Sequence, residues 1–205
     1  MKNQNEEMPI DKTQQKCTVV VTDDEPINTM NLKEMLESNN CEVVGTACDG
    51  FEAISLCKRF HPDVLLLDIK MPILDGLTVA DYVHKNELAD TIIIISAFND
   101  ESFIQTAGES GVAGYLVKPI EENNLISTIR IARMRSMELR EMDMKMKKLM
   151  KDVETRKKIE QAKGLLMEKG AFSERQSYDY IRNISKDKGL SMDVVAEIII
   201  SSARK

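Results

Sequence analysis

Several residues able to do polar chemistry stand at the ends of short apolar runs in this 205-residue chain. Asp68 closes the run Val64-Leu-Leu-Leu67 and is followed by Ile69-Lys70-Met-Pro-Ile-Leu-Asp-Gly76. Asp23 and Asp24 follow Thr18-Val-Val-Val-Thr22, Ser96 ends Thr91-Ile-Ile-Ile-Ile95, and Lys118-Pro119 follows Gly114-Tyr-Leu-Val117. Taken alone, a strand-end Asp before a tight loop is equally well read as a helix cap. Taken together, three carboxylates in one place require a cation, and hard oxygen ligands with room for water suit Mg²⁺. A carboxylate held ionised in that setting can act as a nucleophile, as aspartyl-phosphate chemistry demands. Lys118 and Ser96 would then bind the phosphoryl oxygens that the metal leaves uncovered.

That convergence depends on the elements that carry these residues. Apolar runs of this length, bounded by Pro and Gly, read as strands buried on both faces of a parallel sheet. Strands are expected at Thr18–Thr22, Cys41–Thr46, Val64–Leu67, Thr91–Ser96 and Gly114–Val117. Helical spacing is expected at 26–38, where Pro26 suits a first turn, at 49–59 behind the capping-box pattern Asp49-Gly-Phe-Glu52, at 76–86 and at about 100–110. Strands alternating with helices predict a doubly wound α/β fold with a five-stranded parallel sheet. Strand order 2-1-3-4-5 would gather the polar strand ends at the carboxyl edge, where open α/β sheets place their chemistry. Adjacent strand ends there lie within ~5 Å.

No strand pattern follows Pro119. Residues 125–153 contain neither Pro nor Gly, and a register from 125 to 153 steps by threes and fours, the spacing of a coiled-coil seam. A helix docked on the chain's own sheet is the competing reading, and the first half of the register is poor, with Thr128 and Arg135 in it. Its continuous part is Leu139, Met142, Met146, Leu149 and Val153, and the expected consequence is pairing between chains. Six methionines, from Met134 to Met150, make this helix soft and adaptable. Three further helical patterns, 155–169, 173–186 and 191–203, are separated by Gly170 and Gly189; Ser173-Glu-Arg-Gln176 is a capping box and Ser191 an N-cap candidate. Residues 1–16 are polar and aperiodic, the composition of a disordered leader. The organisation read from the sequence is therefore a leader over 1–16, an α/β domain over 17–124, a linker helix over 125–153 and an all-α bundle over 154–205.

Bulk composition narrows the classes. The formal net charge of −6 hides a split: residues 17–120 carry 17 acidic and 6 basic side chains, residues 121–205 carry 14 and 19. A basic second half is a candidate for nucleic acid. No segment approaches the ~18 consecutive apolar residues of a membrane span, and no signal-peptide pattern opens the chain. The four cysteines (Cys17, Cys41, Cys48, Cys57) lack C-x-x-C spacing and read as buried thiols in a reducing cytoplasm. His61 and His84 are isolated and offer no metal-ligand cluster.

Asp23-Asp24, Asp68 with Lys-Met-Pro-x-x-Asp-Gly behind it, Ser96-Ala97, Tyr115 and Lys118-Pro119 resemble the receiver domain of two-component response regulators over about residues 17–134. The resemblance implies that Asp68 accepts a phosphoryl group from a sensor histidine kinase. It also implies that Asp23, Asp24, Asp68 and the Lys70 backbone carbonyl form the Mg²⁺ site, and that Ser96 and Tyr115 act as a switch pair. Lys70 and Phe98 would flank the path of attacking water, so slow self-hydrolysis is expected. Such a chain is a regulator that catalyses only its own phosphotransfer and slow dephosphorylation, with no small-molecule substrate. A haloacid-dehalogenase-type phosphatase fits poorly, because Lys70 stands where its second Asp belongs. A degenerate receiver would have lost some of these residues, and every one is present.

The usual output of a receiver is a DNA-binding helical domain. Here Arg156-Lys-Lys-Ile-Glu-Gln-Ala-Lys163-Gly164-Leu-Leu-Met-Glu168, followed by Phe172-Ser-Glu-Arg-Gln-Ser177-Tyr178 and Ile181-Arg182, resembles the ANTAR domain of RNA-binding antiterminators. That family often has Ala where Ser177 stands. The resemblance implies binding to paired hairpins of a leader RNA by a homodimer formed on phosphorylation, of the kind that controls ethanolamine-utilisation operons. Arg156, Lys157, Lys163, Arg182 and Lys186 are the candidate phosphate contacts. Tyr178 is a candidate to stack on a splayed loop base, with core packing as its competing role. Gly164, costly inside a helix, is explained by close approach of RNA or of another helix.

Overall fold

β-Branched and leucine-rich runs form the strands: β1 (Cys17–Thr22), β2 (Cys41–Ala47), β3 (Val64–Asp68), β4 (Thr91–Ser96) and β5 (Gly114–Val117). All pair in parallel, in the order β2-β1-β3-β4-β5. The computed structural model describes residues 16–97, 111–168 and 172–203. The expected leader, the helix at about 100–110 and Phe98 lie outside those residues. Every position of β3 and β4 is buried, which explains why these runs are continuously apolar rather than alternating.

Helices α1 (Pro26–Glu37), α2 (Gly50–Phe60), α3 (Gly76–Lys85) and the first turns of α4 (Glu122–Glu168) clothe the sheet. One core joins Val19, Val21, Leu66, Ile93 and Ile95 to Leu32 and Leu36 of α1 and to Leu125, Ile129 and Ala132 of α4. The other joins Val20, Leu65, Leu67 and Ile94 to Ala53 and Cys57 of α2 and to Val79, Ala80 and Val83 of α3. The two clusters take alternate strand residues, as a period of two requires. Fully burying each such aliphatic side chain contributes about 1.5–3 kcal/mol.

Local signals were met with small displacements. Asp49 caps α2 by accepting from Glu52 N at 2.9 Å, but the Glu52 carboxylate reaches Cys48 N at 3.0 Å, so the reciprocal half of the expected capping box falls one residue early. Asp75 caps α3 by accepting from Thr78 N. At Ser173 both halves of the box are present.

The larger departure is α4. It runs unbroken from Glu122 to Glu168, so the helix expected to begin afresh at 155 is its continuation. The early seam positions Leu125 and Ala132 are spent against the chain's own sheet and are not available to a second chain. The chain divides into two units, Met1–Leu139 and Arg140–Lys205. In the second, the end of α4 packs with α5 (Glu174–Lys188) and α6 (Met192–Ala203) around Ala162, Ile181, Val195 and Ala196.

Among the four cysteines, Cys17, Cys41 and Cys57 are buried free thiols. Cys48 is exposed, against expectation, because it follows β2 in the turn into α2.

Candidate functional site

The strand order places the ends of β1, β3, β4 and β5 side by side, and the side chains converge there. Asp23, Asp24 and Asp68 each offer a carboxylate oxygen within 4.8 Å of the others. Asp23 and Asp68 are only 1% and 6% exposed, while Asp24 faces solvent. Lys118 spans the pair, with Nζ at 2.7 Å from Asp23 Oδ2 and 3.2 Å from Asp68 Oδ2. Ser96 is buried at the end of the intervening strand β4, and Tyr115 of β5 is half-buried against the core.

Backbone contacts hold this edge together. Asp23 N donates to Ala47 O, Ile69 N to Ile95 O, and Lys118 N to Ser96 O, the last at 2.8 Å. The Lys118–Pro119 peptide bond is cis. Gly76 N donates to Ile69 O at 2.9 Å, and a Cβ on Gly76 would stand 2.2 Å from the Asp68 carbonyl oxygen. Only glycine lets the start of α3 lie this close behind the acceptor residue. In the sequence Gly76 is only the last residue of the Lys-Met-Pro-x-x-Asp-Gly pattern, with no packing role assigned to it.

Asn28 was missed. Its Nδ2 donates to Asp23 Oδ1 at 3.0 Å and fixes that carboxylate from α1. No signal could have found it, because an Asn in a first helical turn reads as surface. Asp23 Oδ1 also accepts from Glu25 N at 3.0 Å.

The electrostatics follow from burial and spacing. Burial raises the Asp68 pKa above the ordinary carboxylate value, Lys118 pulls it back, and the charge of Asp23 adds to the rise. Burial works against the Lys118 ammonium, but its hydrogen bond to Asp23 and the charges of Asp68 and Asp23 outweigh that, leaving its pKa raised. Three carboxylates against one ammonium leave an uncompensated negative charge in a partly dry pocket, so the donor set fits a hard divalent cation. Lys70 stands exposed in the loop beyond Asp68.

Within the second unit, Arg156, Lys157, Arg182 and Lys186 are exposed. Tyr178 is 43% exposed, so a purely core role is ruled out for its ring. Ser177 is fully buried and its hydroxyl donates to Ser173 O at 3.0 Å, which explains why a small residue is needed there. Lys163 is placed differently from the other candidate phosphate contacts. It is buried, and its Nζ lies 3.0 Å from Glu160 and 2.9 Å from Glu174, so the ammonium is already committed to two carboxylates rather than presented to a phosphate. A Cβ on Gly164 would meet nothing within 4 Å, so no helix among the described residues accounts for the glycine. Leu139, Met142, Met146, Leu149 and Val153 are all more than half exposed along α4, and the last four line an apolar groove of about 590 Å³ with Met150. No helix among the described residues is long and apolar enough to cross a membrane.

The profile of the response regulator receiver domain matches residues 19–130, and that of the ANTAR domain matches residues 147–200. The chain is 34% identical over 184 residues to the transcriptional regulatory protein PdtaR of Mycobacterium tuberculosis, covering 90% of this chain and 89% of that protein. It is 32% identical over 120 residues to the nitrate/nitrite response regulator protein NarL of Escherichia coli, covering 58% of this chain and 56% of that one. Among solved structures, the signal receiver domain of NarL from M. tuberculosis has a TM-score of 0.56 at 35% identity, over 58% of this chain and 97% of that one. The response regulator domain of Thermotoga maritima CheB has a TM-score of 0.54 at 29% identity, over 58% and 96% respectively.

Proposed function

Because the chain belongs to the response regulators that join a receiver domain to an ANTAR domain, we propose that it is a cytoplasmic, phosphorylation-controlled RNA-binding antiterminator. The observation that carries this reading is the convergence of Asp23, Asp24 and Asp68 around Lys118. In the proposed step, an Asp68 carboxylate oxygen attacks the phosphorus of a phosphohistidine on a sensor kinase. The new O–P bond forms as the N–P bond breaks, and the imidazole leaves with its electron pair and takes up a proton.

Asp23, Asp24, Asp68 and the Lys70 carbonyl are the proposed Mg²⁺ ligands. Bound there, the ion supplies positive charge that offsets the carboxylates and the incoming phosphoryl oxygens. Lys118 holds Asp68 in place before transfer and moves its ammonium onto a phosphoryl oxygen afterwards. Its partnership with two buried carboxylates makes it responsive to any change in charge at Asp68. Ser96 turns its hydroxyl towards the phosphoryl group, and Tyr115, half-buried at present, moves inward behind it. The exposure of Lys70 beside the acceptor supports slow self-hydrolysis, since its long side chain can screen the approach of water.

The output is proposed to be RNA. Phosphorylation favours a homodimer through Leu139, Met142, Met146, Leu149 and Val153, and each copy presents Arg156, Lys157, Arg182, Lys186, Tyr178 and the open side of Gly164 to one hairpin of a pair. Occupied hairpins keep an overlapping terminator from forming. The leader of an ethanolamine-utilisation operon is the proposed transcript.

The test compares wild type and Asp68→Asn after exposure to a small-molecule phosphodonor with Mg²⁺. Wild type should gain one acid-labile phosphoryl group, sediment as a dimer and bind two-hairpin RNA tightly; Asp68→Asn should do none of these. Equal affinity for the matching duplex DNA would replace this reading with a DNA-binding regulator. An unchanged monomer after phosphorylation would remove the dimer step.

A further inference from the structure

At the edge of the sheet opposite the carboxylate site, two thiols face one another. Cys17 and Cys41 are the first residues of β1 and β2 and are direct partners in the parallel register. Adjacent strands run about 4.8 Å apart, inside the range of about 4.4–6.8 Å that a disulfide spans between Cα atoms. Their side chains belong to one core cluster, and the thiols are within hydrogen-bonding reach of each other. Both are free thiols at the margin of the core, and each residue retains 7% exposure.

The surroundings are cationic on one side. Arg133 and Arg130 of α4 both act on Cys41, and Arg133 is also paired with Asp63 at 3.4 Å. Asp63 in turn accepts from Thr18 N and Oγ1, which locks the start of β1 in place. The hydrogen bond from Cys17 lowers the Cys41 pKa to about 7, burial opposing it and Arg133 and Arg130 assisting, while the Cys17 thiol is driven up and stays protonated. Of the two, Cys41 is therefore the readier to ionise, and its Sγ also lies 3.8 Å from Asn39 O. Thiolate character and access are what select a cysteine for oxidation. Cys57 provides the contrast: buried in the other core, its thiol is pushed up to about 12.

We propose that Cys17 and Cys41 form a reversible oxidation site for hydroperoxides, closing to a disulfide that ties β1 to β2 beneath the start of α4. The Cys41 thiolate sulfur attacks one peroxide oxygen, the O–O bond breaks, and the alkoxide or hydroxide leaves and is protonated. Sulfur has lost two electrons and is now a sulfenic acid. The Cys17 thiol displaces its hydroxyl, forming the S–S bond and releasing water. Ile129 and Ala132 of α4 rest in the same cluster, so the oxidised pair removes the thiolate that faces Arg133 and alters the seat of that helix.

The experiment uses the full-length reduced protein, treated with hydrogen peroxide, denatured, alkylated and mapped by mass spectrometry. Two of the four cysteines, Cys17 and Cys41, should disappear together into one crosslinked peptide that dithiothreitol reverses, while Cys57 remains alkylatable. Cys17→Ser should stop at a sulfenic acid on Cys41 that dimedone traps, and Cys41→Ser should abolish the crosslink. Circular dichroism of each variant establishes that it is folded. Recovery of Cys17 and Cys41 as free thiols under peroxide that oxidises the exposed Cys48 overturns the proposal, and so does direct conversion of wild-type Cys41 to sulfinic acid.

Discussion

Gly164→Ala separates what the fold needs from what a partner needs. Gly164 lies inside α4 with no backbone strain to relieve, and an added Cβ would meet nothing within 4 Å. Helix propensity then dictates the stability change: about 0.8–1.0 kcal/mol in favour of Ala. For a unit of this size, that corresponds to a rise in Tm of about 4–8 °C. The side of the helix that Gly164 occupies also carries the exposed Lys157, Gln161 and Met167, one or two turns away. If RNA backbone or sugar rests against that surface, the methyl group displaces it, and affinity for a leader hairpin should fall about tenfold, or about 1.4 kcal/mol. Thermal melts of the full chain, followed by filter binding to hairpin RNA at one fixed salt concentration, measure both effects. A more stable protein with unchanged affinity would remove Gly164 from the RNA-facing set. A less stable protein would refute the argument from open space itself.

Four further outcomes are expected. Lys163→Met should leave the dependence of RNA affinity on salt unchanged, since its ammonium is held by Glu160 and Glu174, whereas Arg182→Ala should lower that slope by about one; equal slopes for both variants would contradict the assignment. Lys118→Met should destabilise the first unit by about 3 kcal/mol by leaving Asp23 and Asp68 buried against each other, with part of the loss recovered in millimolar Mg²⁺ as read by urea denaturation. Gly76→Ala should cost about 1–3 kcal/mol and slow phosphoryl uptake, because its Cβ collides with the Asp68 carbonyl; a normal rate would show that the loop yields freely. Burial opposes the Asp75 charge, yet hydrogen bonds from Thr78 outweigh it and depress the pKa, so its stabilisation is present above the unfolded carboxylate pKa and lost as pH falls through the folded one. Asp75→Asn keeps a cap without that titration, and its stability deficit relative to wild type should narrow as the solution is acidified.

The strands and most helix boundaries were legible because their signals are local. Continuous apolar runs, Pro26 in a first turn and capping residues at Asp49 and Ser173 each act over a few residues. Asp68, Asp23, Asp24, Ser96 and Lys118 were also legible, since each sits at the end of a run whose topology is constrained by the handedness of parallel crossovers. Less local features were not. Glu122 accepts from Asn39 Nδ2 and Ser38 Oγ, and Arg133 pairs with Asp63; such long-range partners leave no periodicity to read.

By itself, the sequence determined the alternation of strand and helix, the polar residue at four of the five strand ends and a basic second half, because patterning and charge are properties of neighbours along the chain. Tertiary structure decided which of these residues meet. It brought Lys118 onto Asp23 and Asp68, withdrew Lys163 into a pair of carboxylates, and turned Leu125 and Ala132 inward while leaving Leu139 to Val153 exposed on the same helix. A side chain's partner depends on what the fold places beside it. For a lysine or a leucine on a helix, that is settled only when the other elements have packed.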